Sequence, residues 1–172
     1  MANTYTLIAS NTLSTTAASV TFSAIPNTFT DLVLKVSSRN NDTGAAENLK
    51  IQLNNDTTTK YSFTYIIGSG TSVVPGRASN LAYVESRQDG AGATANAFSN
   101  LEIYIPSYTA TQNKPFSSFA VTETNDAGNN YIYPIANLWR NTAAIDSIKL
   151  FNNGSFVFVS GSSFFLYGIK NS

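Results

Sequence analysis

Cysteine and histidine are both absent from the 172 residues, and each absence removes chemistry. Without Cys there is no disulfide framework, no thiolate metal site and no cysteine nucleophile. Without His, whose ordinary titration lies nearest neutrality, Ser-His-Asp catalysis, His-ligated zinc hydrolysis and imidazole acid-base catalysis are excluded. Carboxylate catalysis and a Ser-Lys arrangement survive, but both need three-dimensional pairings that no motif here announces. The chain is therefore read as non-enzymatic, with no cofactor and no resident metal. Charge is scarce too: charged residues make up 12% of the chain, with Lys+Arg 10 against Asp+Glu 10 and a formal net charge of zero. The basic residues are scattered singly, without the stripe that neutralises phosphates, so no nucleic-acid partner is expected. The opening MANTYTLIAS has neither a basic n-region nor a long apolar stretch, so neither a signal peptide nor a membrane anchor is expected there.

In place of charge there is Ser, Thr and Asn, roughly a third of the chain, which gives a wet but weakly charged surface. Three sequons, at Asn41, Asn55 and Asn153, are what an Asn- and Thr-rich sequence produces by chance. The dominant pattern is alternation. DLVLKVSS puts Leu32, Leu34 and Val36 on one face; NLKIQLN puts Leu49, Ile51 and Leu53 on one face with Lys50 and Gln52 opposite; SNLEIYIP sets Leu101, Ile103 and Ile105 inward and Glu102 and Tyr104 outward. This period of two marks half-buried strands. Further strands are expected at Thr4–Ala9, Ser19–Phe22, Tyr61–Ile67, Leu81–Glu85, Phe116–Thr122, Tyr131–Trp139, Ile145–Phe151, Ser155–Val159 and Phe164–Ile169. RNNDTGAAE, NNDTTTK, RQDGAGATAN and TNDAGNN between them are turn-formers. No stretch sustains helical spacing beyond a single turn around Asn141–Ile145. The chain reads as one all-β antiparallel domain over 1–172, a sandwich or a barrel. In KLFNNGSFVF, Asn153-Gly154 suits a type I′ turn joining two strands.

The last strands are apolar on both sides. Phe156 and Phe158 oppose Val157 and Val159, and Phe164 and Leu166 oppose Phe165, Tyr167 and Ile169. One face of an antiparallel sheet is normally solvated, so such strands need a second cover. A long loop, the N-terminal segment or another chain each fits, and strand patterns alone do not separate them. The residues set out as a candidate assembly interface are Phe156, Phe158, Phe165, Tyr167 and Ile169.

Other constellations carry a bland reading beside a functional one. Glu102 and Glu123 form a retaining-glycosidase pair only if they sit on neighbouring strands, and are otherwise solvated residues. The Asn/Asp loops offer oxygen ligands for Ca²⁺, but each holds one Asp, and Asx-turns explain them more simply. In YIYPIANLW, Tyr131, Tyr133 and Trp139 are candidate glycan-stacking rings, although the same strand face serves equally as core. Pro134 suggests an edge or bulged strand there.

The blocks TYTLIAS…ASVTFSAIPNTFTDLVLKVSSR, AFSNLEIYIPSYT, ANLWRNTAAIDSIKLF and GSSFFLYGIKNS together resemble a group of tailed-phage virion proteins that includes cyanophage examples. The resemblance spans most of the chain through strand patterns and brings no catalytic residues. It implies a jelly-roll-like sandwich acting as a capsid decoration (cement) protein, or as the terminal domain of a head or tail fibre. Decoration proteins of this sort are commonly homotrimers on the shell, so it further implies sister subunits and the phage major capsid protein as partners. The implied location is the virion capsid surface, after synthesis in the host cytoplasm. No coiled-coil or collagen-like stalk is present, which favours decoration. The alternative is a receptor- or carbohydrate-binding domain of a fibre.

Overall fold

The computed structural model describes residues 4–125 and 130–170. Among these are twelve strands and no helix: β1 (Tyr5–Thr12), β2 (Ser19–Phe22), β3 (Asp31–Ser38), β4 (Ala46–Leu53), β5 (Tyr61–Gly68), β6 (Val73–Leu81), β7 (Val84–Asp89), β8 (Ser99–Ile105), β9 (Lys114–Thr122), β10 (Tyr131–Trp139), β11 (Ile148–Asn152) and β12 (Ser163–Ile169). They form two antiparallel sheets, β1-β12-β3-β8-β9-β10-β5-β6 and β2-β11-β4-β7. Eight of the strands interleave in a particular way. First pairs with last, β3 lies between β12 and β8, and in the facing sheet β11 lies between β2 and β4, with β7 outside β4. That order is the jelly roll, a long antiparallel ribbon wrapped around one core. The hairpins β5-β6 and β9-β10 are inserted into it and lengthen the large sheet on one side.

The alternation in the sequence becomes the core. Leu32, Leu34 and Val36 face Leu49, Ile51 and Leu53 across the sandwich with Leu101, Ile103 and Ile105, all buried, and each such side chain contributes roughly 1.5–3 kcal/mol. Lys50 and Gln52, expected in solvent, are buried. The residues after β6 fold over them: Lys50 Nζ lies 4.2 Å from the Tyr83 ring centroid and donates to Asn153 Oδ1 at 2.9 Å, and Gln52 Nε2 donates to the Ala82 carbonyl at 3.0 Å.

Several local expectations are corrected. Ser155–Val159 is not a strand and Asn153-Gly154 does not join a hairpin, because β11 already has β2 and β4 as neighbours. Only Gly154 of that pair takes a positive φ, 53°. Phe158 instead pins two loops by isolated bridges to Ala17 and Asn40. Asn141–Ile145 is not helical; Asn141 Oδ1 accepts from the Ala143 N–H at 3.0 Å in an Asx-turn. Pro134 lies in a central strand, not at an edge. β10 pairs with β9 at every position from Tyr131 to Trp139, while its ladder to β5 skips Tyr133 and Pro134, so the missing N–H falls on the β5 side. Leu81–Glu85 spans the break between β6 and β7, and most of β6 went unanticipated.

β12 is held on both flanks, by β1 and by β3. The N-terminal strand is thus its second neighbour. At one end Phe29 lies directly on Gly168, where a Cβ would fall 2.3 Å from the ring. The far end of the sandwich is closed by Arg39, whose guanidinium donates to the carbonyls of Thr94, Ala97, Ala91 and Ala93 at 2.7, 2.9, 3.0 and 3.0 Å. A single cation thereby satisfies four carbonyls of one loop.

Candidate functional site

Of the aromatic residues set out as glycan contacts, two are core. Trp139 has no exposed surface; it stacks on Tyr61 at 6.2 Å between ring centroids and donates from Nε1 to Asp56 Oδ2 at 2.9 Å. Tyr133 is buried against Tyr65 at 5.1 Å, beneath the Arg87 guanidinium. Their strand face points between the sheets, which removes both from any surface contact. Tyr131 is half-buried on that same face. Of the assembly candidates, Phe158 and Ile169 are buried within the chain, so neither offers surface to a partner. Phe156, Phe165 and Tyr167 are half-buried, the last two on the outer face of the large sheet beside β1.

Glu102 and Glu123 do not make a catalytic pair. Glu102 is opposite Phe119 in the register of β8 and β9, so Glu123 lies four positions further along, about 14 Å at 3.4 Å per residue. Retaining hydrolysis needs about 5.5 Å and inverting no more than about 9.5 Å. Glu102 pairs instead with Lys35, and Glu123 accepts from the Asn125 N–H at 3.0 Å. The oxygen-rich loops are likewise spoken for. Asp56 Oδ1 accepts from the Thr58 N–H at 3.0 Å and from its hydroxyl, and Oδ2 from Trp139 and from Asn141 Nδ2 at 3.3 Å. In NNDTG, Asn40 Oδ1 accepts from the Asp42 N–H at 3.1 Å. Of TNDAGNN, residues 126–129 lie outside the described residues. Among the described residues no group of three or more acidic side chains is placed to hold a metal ion.

What the structure does build is a groove on the outer face of the large sheet, about 710 Å³ in volume. Two adjacent rows of outward side chains make it. One runs Tyr104, Ser117, Ala136, Thr64 across β8, β9, β10 and β5; the next runs Glu102, Phe119, Pro134. Ser117 and Ala136 are small and form the floor. Tyr104, Phe119, Ile66, Pro106 and Pro115 stand around them as walls. Phe119 is 47% and Ile66 49% exposed. The rings of Tyr104 and Phe119 are diagonal neighbours on paired strands, a spacing of roughly 7–8 Å between backbones.

Tyr104 is fixed in place. Its hydroxyl donates to Asp31 Oδ2 at 2.9 Å, and Asp31 Oδ1 accepts from the Ser107 N–H at 2.8 Å. Ser107 has a positive φ of 47°, uncommon outside Gly, Asn and Asp, and this turn sets Pro106 as the groove's end wall. The Asp31 hydrogen bond, with burial adding to it, raises the Tyr104 pKa, so the ring stays neutral near pH 7.

Tyr104 was placed outward by alternation alone; Phe119 was not singled out. A signal existed in KPFSSFAVT. The set Pro115, Ser117, Phe119, Val121 is as apolar as the set Phe116, Ser118, Ala120, Thr122, and the structure buries the second, leaving the first on show.

No known protein family matches the sequence, and no curated protein is similar enough in sequence to stand as a relative. Among solved structures, the chain is similar to the galectin LEC-6 of Caenorhabditis elegans at 11% identity and a TM-score of 0.36, covering 95% of each chain. It is similar to a toad ovary galectin solved with thio-digalactose at 14% identity and 0.28, covering 77% of this chain and 98% of that one. A third likeness is the CBM2 module of the evolved Dit of Lactobacillus casei BL23 phage J-1, at 11% and 0.16, covering 90% and 69%. Superpositions this loose carry no argument. The jelly-roll assignment rests on the strand order.

Proposed function

We propose that this chain is a non-enzymatic binding domain that holds a glycan in the outer-face groove. The observation that carries the reading is the pairing of two exposed rings, Tyr104 and Phe119, over a floor of small residues. Sugar rings present C–H faces that stack on such platforms while their hydroxyls reach polar groups at the margin, here Ser117, Thr64 and Glu102. Tyr104 is held by Asp31 and Phe119 by a central strand, so little side-chain entropy is lost on binding. The test is a glycan array followed by titration calorimetry. Tyr104→Ala and Phe119→Ala should each weaken binding about tenfold or more, Phe119→Ala with unchanged melting temperature and Tyr104→Ala with a lowered one, because it removes a donor to buried Asp31. A folded protein that binds no glycan, or alanine variants that bind as well as the native chain, removes the reading.

A second reading, attachment to a phage capsid shell as a decoration protein, is favoured by a different observation. The apolar surface continues past the groove through Ile132 and Val73 on the next row, further than a short glycan needs, and contiguous exposed apolar surface marks protein contacts. Co-sedimentation with shells stripped of the protein separates the two: pelleting that survives Phe119→Ala but not Ile132→Glu supports shell attachment.

A further inference from the structure

Among the described residues the large sheet has two free edges, and they differ. An edge strand carries a row of unpaired N–H and C=O groups, which soluble proteins blunt with Lys, Pro, brevity or a covering loop. β6, the edge on the hairpin side, carries Pro75 and Arg77. β1, the opposite edge, runs for eight residues, YTLIASNT, with no proline and no charged residue. Its one irregularity is the bulge between Leu7 and Ala9. Tyr5 and Leu7 are 53% and 52% exposed, and the Tyr5 ring meets Tyr167 edge-on at 6.2 Å, extending apolar surface from β12 to the rim.

We propose that β1 is the docking edge for a second copy of this chain, the two β1 strands pairing antiparallel about a two-fold axis so that their large sheets become continuous. An isologous contact sets residue i against residue j and j against i, so residues beside the axis meet copies of themselves or of close neighbours. A charged edge therefore opposes like charges across the axis, which destabilises the pairing. YTLIASNT meets no such penalty, whereas β6 pairing with itself brings two Arg77 side chains to the same axis and lacks the Pro75 N–H. The formal net charge of zero removes long-range repulsion between copies. With the two-fold axis at Thr6, Tyr5 of each copy lies opposite Leu7 of the other on the outer face. The contact lies at the far side of the sheet from the hairpin that carries Phe119, so it stands apart from the glycan reading; two grooves on one continuous face add bivalency to whatever the groove holds.

The chain has no cysteine, so a single introduced thiol reports proximity without background. With a short bis-maleimide cross-linker at micromolar protein, Leu7→Cys should give a covalent dimer, and Val73→Cys on β6 should give none on a denaturing gel. Light scattering on the unmodified chain should return twice the 18.4 kDa monomer mass, and Leu7→Glu, at an exposed position, should halve that mass with an unchanged circular dichroism spectrum. A monomer at high micromolar concentration, a trimer, or cross-linking through Val73 and not Leu7 each overturns the proposal.

Discussion

Asp56→Asn should destabilise the fold by about 3 kcal/mol at neutral pH, and the loss should vanish in acid. The carboxylate receives Thr58 on one oxygen and Trp139 and Asn141 on the other, with Lys60 Nζ at 3.6 Å. An amide turned to keep Thr58 presents its NH₂ to the Trp139 and Asn141 donors. A buried N–H that loses a charged acceptor costs about 1.5–3 kcal/mol, and the exposed Lys60 pair adds at most about 1 kcal/mol. For a chain of this size that is a fall in melting temperature of roughly 6–12 °C. Burial by itself pushes the Asp56 pKa up, but the hydrogen bonds from Thr58, Trp139 and Asn141 overcome it and hold the carboxyl well below its ordinary 3.8. A depressed folded-state pKa contributes stability that is fully present above the unfolded value and is lost as the pH falls below it. Urea melts followed by the fluorescence of the single tryptophan should therefore show the full gap at pH 7 and a shrinking one below about pH 3.8. On a Trp139→Phe background, which removes the donor and is followed by circular dichroism instead, Asp56→Asn should cost at least about 1 kcal/mol less. A variant within about 0.5 kcal/mol of the native chain at pH 7, or a gap that does not change with pH, refutes the reasoning.

Asp89 has the opposite sign: buried, with no partner for Oδ1, its pKa is pushed up by burial to about 6, against an opposing pull from Arg39. Its stabilising contribution is complete below the unfolded value of 3.8 and is lost as the pH rises through about 6. Over that interval, at about 1.4 kcal/mol per pH unit, stability falls by about 3 kcal/mol. Asp89→Asn should therefore flatten the pH 4–7 stability profile in urea melts and raise stability at pH 7; an unchanged slope contradicts this. Gly90→Ala should cost about 3 kcal/mol or more by denaturant titration, because its Cβ falls 2.1 Å from the Gly44 carbonyl oxygen, a backbone atom that cannot turn aside. A cost below about 1 kcal/mol means that the two loops separate more easily than their packing implies.

Strand positions were legible because a period of two is a local property: each side chain's face follows from its neighbours. DLVLKVSS, NLKIQLN and SNLEIYIP all form strands with the expected apolar face inward, although Lys50 and Gln52 on the other face of the second are covered as well. The misreadings arose where a local signal competes with distant partners. Asn153-Gly154 is a good turn pair, but Asn153 takes no positive φ and β11 finds its partners about 100 and 130 residues earlier. Pro134 is unfavourable within a sheet, yet one flank of β10 tolerates a skipped ladder. The two-sided apolarity of β12 marked a strand, but β1 and β3 flank it within the sheet and its outer-face Phe165 and Tyr167 stay half-buried; a residue pattern does not separate a sheet neighbour from a cover.

By itself the sequence determined the chemistry that is missing and the fold class: no thiol, no imidazole, little charge, and alternation that allows only antiparallel sheets. Which aromatic residues face solvent was decided by the tertiary structure. Trp139 and Tyr133 lie on the same face of β10 and vanish between the sheets, while Tyr104 and Phe119, on neighbouring strands, both stand on the outer face. Alternation says that two faces exist. Only the pairing of strands far apart in sequence determines which face the second sheet covers.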